Sequence, residues 1–328
     1  MTANQQEKSP ESWYEAYEVP EAARGVMDLL LSSEEQRLIA AFIGASFSAA
    51  DVREEFGLGS EAEASKLLRS AYRRGVVSAE DADAGSPRYH IGSFFPRLTV
   101  YAVTEQDSYQ AIPEATRAAL EALYFDRYYD ALDWDEDGGR PTKDAVLTLG
   151  ETLGLLEAKK AAGKNIYRVN CDCRSLKNGC DHVRDVCITF EDGTNTWPDR
   201  GIAESISLDE AKDVIRKADK DGLIHTSSPH GICNCCTDCC YLFRSRARRG
   251  SGRTWPASSR IIDIAAEACV GCGLCVKRCP LGALSLKSGA SPAPDKKAVR
   301  DDKACIGCGL CISSCNFGAL SLRADTVA

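Results

Sequence analysis

A run of four cysteines occurs twice near the end of this 328-residue chain. The copies span Cys269–Cys279 and Cys305–Cys315, and both have the spacing C-x2-C-x2-C-x3-C. Three cysteines at intervals of three wrap a tight loop around one corner of a small inorganic group. Glycines at positions 271, 273, 307 and 309 allow this turn and let backbone amides point at sulfur. The repeat therefore predicts two similar metal-binding loops.

This spacing is typical of bacterial proteins with cubane iron–sulfur clusters, in which the fourth cysteine of each run ligates the other cluster. Residues 260–324 resemble a two-cluster bacterial ferredoxin, and the flanks Gly282–Leu286 and Gly318–Leu322 repeat as well. The resemblance implies two [4Fe-4S] clusters with crossed ligand sets. One set is Cys269, Cys272, Cys275 and Cys315, and the other is Cys305, Cys308, Cys311 and Cys279.

Two features of the segment differ from minimal two-cluster ferredoxins. Asn316 stands where ferredoxins have a proline, so that cluster gains a backbone donor that can change its hydrogen bonding and potential. An insert at 288–297 also separates the two halves. Paired C-x2-C motifs occur in zinc sites too, but a four-cysteine run duplicated 36 residues apart favours iron and sulfide.

Composition narrows the function classes. The chain has 17 cysteines and a net charge of −8. Its first residues lack the pattern of a secretory signal, so we expect metal binding rather than a disulfide framework. No apolar stretch approaches the roughly 18 residues of a membrane span. We expect a cytoplasmic protein of an organism with anaerobic metabolism, and the acidic balance disfavours nucleic acid as the main partner.

The amino-terminal third has helical patterns. We predict a flexible arm over 1–30 and a helical domain over 31–135, which opens at the capping-box pattern Ser33–Gln36. Helices over 48–56 and from Ser60 to Gly75 follow, and then a hairpin of 76–78 with 88–91. This order resembles a winged helix over 30–100. We also predict helices over 113–132 and 142–162.

A winged helix can bind DNA or protein. Four basic residues lie on or beside its candidate recognition helix: Lys66, Arg69, Arg73 and Arg74. The acidic chain and the lack of a second basic stripe favour protein docking or a scaffold role.

Nine further cysteines define a middle α/β domain, predicted over 140–250: Cys171, Cys173, Cys180, Cys187, Cys233, Cys235, Cys236, Cys239 and Cys240. Between them we predict a helix capped at Ser207 that leads to a turn and a strand at Asp221–His225. Nine cysteines among polar residues are too many for packing alone, so we expect one or two further iron–sulfur clusters. Zinc binding and buried thiols remain alternatives.

Spacing suggests how these cysteines divide. Cys171 and Cys173 share a face of an extended chain, and Cys180 and Cys187 share a face of a helix. If 233–240 is helical, one face carries Cys233, Cys236 and Cys240, and another carries Cys235 and Cys239. Two sites follow, although a larger noncubane centre would suit the adjacent pairs equally well. His182, His225 and His230 are expected to donate to sulfur or to lie on the surface.

The motifs Cys171–Arg174, Asp185–Ile188, Gly222–His225 and Ile232–Cys240, followed by the cysteine repeat, look like those of 4Fe-4S dicluster domain proteins from anaerobic bacteria. The resemblance covers about 30–324. It implies iron–sulfur cofactors and electron transfer but no substrate. The predicted fold class is α+β, with a winged-helix-like helical domain, a cysteine-rich α/β domain and a two-cluster ferredoxin-like domain.

The leading hypothesis is an electron-transfer subunit that relays low-potential electrons to or from a partner oxidoreductase, rather than a stand-alone enzyme. One alternative is a redox-sensing transcription regulator, and another is a reductase with its reactive metal in the middle region. No flavin fingerprint or P-loop is present. A basic loop follows the middle cysteines, and we expect it either to dock an acidic partner or to offset the negative charge of the clusters. Its basic residues are Arg244, Arg246, Arg248, Arg249 and Arg253. The sequence sets no oligomeric state.

Overall fold

The computed structural model describes residues 13–80, 87–132, 145–228, 230–251, 260–288 and 296–324. The helices are α1 Glu21–Arg24, α2 Met27–Leu30, α3 Ser33–Phe42, α4 Ala49–Phe56, α5 Glu61–Arg73, α6 Phe94–Thr104, α7 Gln106–Ala111, α8 Glu114–Asp130, α9 Leu149–Ala161, α10 Asp172–Lys177, α11 Leu208–Asp221, α12 Tyr241–Arg249 and α13 Leu274–Arg278. The strands are β1 Ser46–Ser48, β2 Val77–Ala79, β3 Arg88–Ile91, β4 Ala145–Leu147, β5 Tyr167–Val169, β6 Cys187–Thr189, β7 Glu204–Ser205, β8 Ile224–Ser227, β9 Gly231–Cys235, β10 Arg260–Ile264, β11 Leu284–Ser288, β12 Lys296–Arg300 and β13 Leu320–Ala324. This mixture of helices and sheets is that of the predicted α+β class.

The chain divides into two compact units. Unit 1 comprises residues 1–126, 175–177 and 192–204, and unit 2 comprises 127–174, 178–191 and 205–328. Within the described residues, no helix combines the length and the apolarity that crossing a membrane requires.

Unit 1 is built on α3, α4 and α5 and a three-stranded antiparallel sheet of order β1-β3-β2. Its helices begin where side-chain oxygens accept backbone N–H groups, as at Ser60 before α5. The capping box of α3 pairs Ser32 with Glu35, one residue before the predicted start. The observed element order matches the predicted helices and hairpin, and the winged-helix interpretation stays a prediction.

Two observations in unit 1 differ from the sequence expectations. The predicted arm over 1–30 contains α1 and α2, and Trp13 and Tyr17 are buried; residues 1–12 lie outside the described part. Aromatic burial orders this segment although its composition is polar. The distant segment 192–204 also joins unit 1, where Arg200 donates from Nη1 to the Val77 carbonyl at 2.9 Å. Sequence patterns do not show such a long-range addition.

Unit 2 contains a six-stranded sheet of order β4-β8-β9-β6-β5-β7, and its core includes Leu156, Ile188, Ile215 and Ile232. The predicted capping box of α11 is confirmed. The Ser207 side chain accepts a hydrogen bond from the Glu210 amide, and the Glu210 side chain accepts one from the Ser207 amide. The helix predicted over 142–162 is shorter: β4 occupies 145–147, and α9 begins at Leu149.

The carboxy-terminal part of unit 2 consists of two antiparallel strand pairs, β10 with β13 and β11 with β12. The repeated Gly-Ala-Leu-Ser-Leu flanks enter β11 and β13. The cysteine loops lie between these strands, and their sulfurs share an apolar core with Ile261, Leu284 and Leu320.

Candidate metal centres

The eight cysteines of the repeat line two cavities. A cavity of about 340 Å³ is lined by Cys269, Cys272, Cys275 and Cys315. A second, of about 320 Å³, is lined by Cys279, Cys305, Cys308 and Cys311. We call them the first and second repeat cavities. The structure thus brings together the same crossed sets that the resemblance implies, and the ligand assignment itself stays a prediction.

The backbone around the repeat cavities fits an anionic, sulfur-ligated group. Gly271 has a φ of +67°, and a Cβ placed there would lie 2.0 Å from the Lys296 carbonyl oxygen, so the loop requires glycine. The Ala298 amide donates to the Cys269 Sγ at 3.4 Å, and the Ala283 amide donates to the Cys279 Sγ at 3.3 Å. Amide donors of this kind stabilise thiolates and tune cluster potentials.

Burial keeps the free thiols of Cys308 and Cys311 in the second cavity neutral. It raises the pKa of Cys308 to about 12, and the neighbouring Cys279 and Cys305 add to the shift. Since thiolates are the metal ligands, cluster binding would displace these protons.

Six cysteines of the middle region form a closed circuit of sulfur–sulfur contacts, which we call the six-cysteine ring. Each member has hydrogen-bonding contact with the next in the order Cys171, Cys173, Cys240, Cys235, Cys233, Cys187 and back to Cys171. Four members are buried, whereas Cys173 is half-buried and Cys233 is exposed. The ring is therefore closed toward the core and open to solvent on one side.

Three predictions about the local geometry of this region are wrong. Residues 231–235 form strand β9 rather than a helix, so Cys233 and Cys235 point to the same face. Cys173 lies in helix α10 rather than in an extended chain. Cys187 begins strand β6, and Cys180 lies in the preceding loop, so they share no helix. Sheet pairing overrides the spacing pattern at Cys187, Cys233 and Cys235.

Hydrogen bonds within the ring shift its thiols in opposite directions. Contacts with Cys187 and then Cys235 lower the pKa of Cys233 to about 6, whereas the pKa of Cys235 is raised by its contacts with Cys233 and Cys240. Burial raises the pKa of Asp172 to about 6, with Cys171 adding to the shift. The ring can therefore release protons stepwise as metal binds.

Arg174 is a buried cation beside this ring. Its side chain is 1 % exposed, and its Nη1 donates to the Asn234 carbonyl at 2.7 Å. Burial opposes its charge, but Cys171, Cys187 and other thiols outweigh burial and raise its pKa. Its Nε and Nη2 have no hydrogen-bond partner. Buried donors without a hydrogen-bond partner destabilise a fold. An anionic cluster in the ring would provide acceptors and a compensating negative charge for the Arg174 guanidinium.

The three remaining cysteines form a second, more compact group, which we call the cysteine triad. The Sγ of Cys180 lies 3.8 Å from that of Cys236 and 3.4 Å from that of Cys239. All three sulfurs lie within 4.8 Å of one another. Hydrogen bonding to Cys239 lowers the pKa of Cys236 to about 5. Adjacent cysteines thus separate: Cys235 belongs to the ring and Cys236 to the triad.

The histidines occupy different surroundings. His182 lies near the triad, and its Nδ1 is 3.0 Å from Asp221 Oδ2. His225 is buried against Asn234, with 2.6 Å between Nδ1 and Oδ1, whereas His230 is exposed and pairs with Glu191 at 2.7 Å. The described contacts of all three histidines are with oxygen atoms.

The basic segment is a helix, α12, rather than the predicted loop. The Arg248 guanidinium lies 4.2 Å from the centre of the Tyr129 ring, and Arg244 lies 5.5 Å from that of Tyr241. Arg253 lies outside the described residues. The helix therefore carries much of its charge against aromatic rings.

The ring and the second repeat cavity share one apolar cluster. Cys235 and Cys240 of the ring pack with Ile306 and Leu310, and Cys308 packs against the same cluster. Near the triad, the Thr237 hydroxyl lies 3.4 Å from the Pro280 carbonyl. The ring and the second repeat cavity are therefore neighbours within unit 2.

Comparison with known proteins gives one match. Residues 268–319 match the family described as 4Fe-4S dicluster domain. No curated protein and no solved structure matches the chain. The carboxy-terminal repeat is therefore a 4Fe-4S dicluster domain.

Proposed function

We propose that this protein relays low-potential electrons through several iron–sulfur clusters to or from a partner oxidoreductase. The observation that carries the proposal is the apolar cluster joining Cys308 of the second repeat cavity to Cys235 and Cys240 of the ring. Bound clusters supply one-electron redox chemistry, at potentials set by charge, burial and hydrogen bonds to sulfur. The chain's own residues supply the ligands, the amide donors and the apolar enclosure.

The first repeat cavity is the expected point of contact with the partner. Cys272 is exposed there, and the lining residues Val270 and Phe317 are 56 % and 51 % exposed. Leu274 beside them is 41 % exposed. Exposed apolar side chains clustered around a cofactor site favour docking of another protein. We infer that electrons pass between this face and the ring through the second cavity.

Rapid reduction of the anaerobically purified chain tests the relay. The ring centre and the repeat clusters would be followed separately by freeze-quench EPR. We expect Cys308→Ala to slow reduction of the ring centre at least tenfold while the first repeat cluster still reduces at the normal rate. Cys272→Ala removes the first repeat cluster at the proposed entry point, and it should slow reduction of both the second repeat cluster and the ring. Unchanged reduction of the ring in Cys308→Ala would contradict the relay.

A second candidate is a redox-sensing regulator, and the order of α3, α4, α5 and the sheet in unit 1 is compatible with the winged helix predicted from the sequence. Lys66 and Arg69 on α5 are exposed. Arg74 forms ion pairs with Glu35 and Glu105, each at 2.6 Å, so the basic surface is smaller than the sequence suggests. The regulator predicts DNA affinity that falls with salt and changes on oxidation. DNA binding with the same affinity in both redox states would count against it.

A further inference from the structure

The cysteine triad has a geometry that separates it from the other cysteine groups. The distances between its sulfurs point to a single metal ion rather than a cluster, and the backbone donors that reach them and the cavity beside Cys180 are compatible with such an ion. The inference does not depend on the proposed relay, because it concerns a metal without redox chemistry.

The sulfur separations match a mononuclear tetrahedral site. Zinc–thiolate bonds of about 2.3 Å place the sulfurs of a tetrahedral site about 3.8 Å apart. The Sγ of Cys180 lies 3.8 Å from Cys236 and 3.4 Å from Cys239. Sulfurs this close enclose space for one ion, with no room for bridging sulfide.

The repeat cysteines are arranged differently. In a cubane each cysteine sulfur projects outward from its own iron, so the ligand sulfurs lie well apart. Among the described residues, the triad has three ligand atoms within 4.8 Å of one another, as does the set Cys171, Asp172 and Cys173. Neither four-cysteine set of the repeat does. The cysteine sulfurs are therefore well separated in the segment that matches a dicluster domain, whereas they lie close together in the triad.

Each sulfur of the triad accepts a backbone amide. The Cys239 amide donates to the Cys236 Sγ at 3.3 Å. The His182 backbone reaches Cys180, and the Gly179 backbone reaches Cys239. Amides that point at thiolates compensate the charge of a metal–thiolate centre, and the C-x2-C turn of 236 to 239 is a usual zinc-ligand spacing.

A polar cavity lies beside Cys180 of the triad. Its lining includes Cys180, Asp181, His182 and Arg184. His182 is held by Asp221 through Nδ1 and is not among the atoms within 4.8 Å of the sulfurs. Water in this cavity is therefore the nearest source of a fourth ligand.

We propose that Cys180, Cys236 and Cys239 bind one Zn²⁺ ion, with a water molecule from the adjacent polar cavity as the fourth ligand. Soft thiolates with one oxygen donor in tetrahedral geometry suit zinc. The ion would tie the loop before β6 to the turn between β9 and α12. It would thereby fix strands that also carry ring cysteines.

Metal content of the anaerobically purified full chain tests the proposal. We expect one zinc per chain in the wild type. Cys180→Ser should lose that zinc and keep iron and acid-labile sulfide, whereas Cys187→Ser in the ring should lose iron and keep zinc. Loss of iron and sulfide from Cys180→Ser, in the amounts that Cys187→Ser loses, would overturn the proposal by showing that the triad holds part of a cluster.

X-ray absorption at the zinc edge of the wild type tests the proposed ligand set even if the cysteine variants fold poorly. We expect three sulfurs at about 2.3 Å and one oxygen at about 2.0–2.2 Å. His182→Gln should keep both the zinc and this spectrum. Zinc loss in His182→Gln, with imidazole scattering in the wild type, would overturn the water-ligated site. Absence of zinc from the wild type would overturn the whole proposal and leave the relay untouched.

Discussion

The two cysteine regions of unit 2 reach their metal-binding geometry by different routes. Each repeat loop gathers three of its four cavity cysteines within seven residues, as in Cys269, Cys272 and Cys275. The middle groups collect cysteines from residues 171 to 240 through helix α10, strands β6 and β9 and the loops between them. A local spacing can therefore specify a cluster loop, whereas the middle groups exist only when the sheet is paired.

The adjacent pair Cys235 and Cys236 shows the difference most clearly. Successive side chains of a strand point to opposite faces, so these neighbours enter different groups. Cys239 and Cys240, in the turn that leads into α12, also enter different groups. In the repeat, by contrast, residues close in sequence share a cavity, apart from the fourth cysteine of each run.

The largest expected effect tests the crossed grouping of the repeat. Cys272→Ala combined with Cys315→Ala alters one cavity and should remove one cluster, about 4 irons. Cys272→Ala combined with Cys279→Ala alters both cavities and should remove about 8 irons. Iron analysis of the two double variants checks this. The reverse result, with about 8 irons lost from the first variant and about 4 from the second, would mean that each run holds its own cluster.

Glycine substitutions should separate the two regions. A Cβ at Gly271 would lie 2.0 Å from the Lys296 carbonyl, and one at Gly231 would lie 2.1 Å from the Ile188 carbonyl. We expect Gly271→Ala to reduce the EPR signal of the first repeat cluster, and Gly231→Ala to reduce that of the ring through loss of β6–β9 pairing. Gly154→Ala in α9 is the control, because nothing lies within 4 Å of a Cβ placed there and its φ is not positive. Equal loss of both signals in either variant would show that the two regions do not assemble separately.

Arg174 should affect the ring and leave the repeat unchanged. Removing a buried positive charge disfavours the more negative, reduced cluster, so Arg174→Met should lower the ring potential by roughly tens of millivolts. Arg174→Lys keeps the charge and should retain most of the wild-type potential. Redox titration followed by EPR measures both. A shift of the repeat potentials as large as that of the ring would contradict the placement of Arg174.

The smallest expected effect concerns the contact between α9 and β10. Partial burial raises the pKa of Glu151, but hydrogen bonds from Arg260 and Thr148 outweigh burial and lower it. A carboxylate with a lowered folded pKa stabilises the protein above its unfolded pKa, and this stability is lost as pH falls through the folded value. Glu151→Gln should therefore cost about 0.5 kcal/mol at neutral pH and nothing in acid.

Anaerobic thermal denaturation between pH 3 and pH 7 measures this difference. Glu210→Gln in the capping box of α11 is the matched control, since hydrogen bonds from Ser207 are the main cause that lowers the pKa of Glu210, and Arg168 contributes less. A pH-independent difference between wild type and Glu151→Gln would show that the carboxylate charge has no role in joining the middle region to the repeat.

Several elements were predictable because their causes are local. Ser60 and Ser207 mark the starts of α5 and α11 through side-chain caps, and Gly222 with a φ of +90° ends α11. The burial of Trp13 and the joining of 192–204 to unit 1 were not predictable, because both depend on contacts with residues far along the chain.

The sequence by itself determined that this chain carries a dicluster domain and a second field of nine cysteines, because ligand spacing and glycine placement act over a few residues. Tertiary structure alone decided that the nine divide into a ring of six and a triad, and that Arg174 is buried beside them. The physical reason is strand pairing. It fixes which face each cysteine occupies and which distant segments meet there, and neither property is encoded in local spacing.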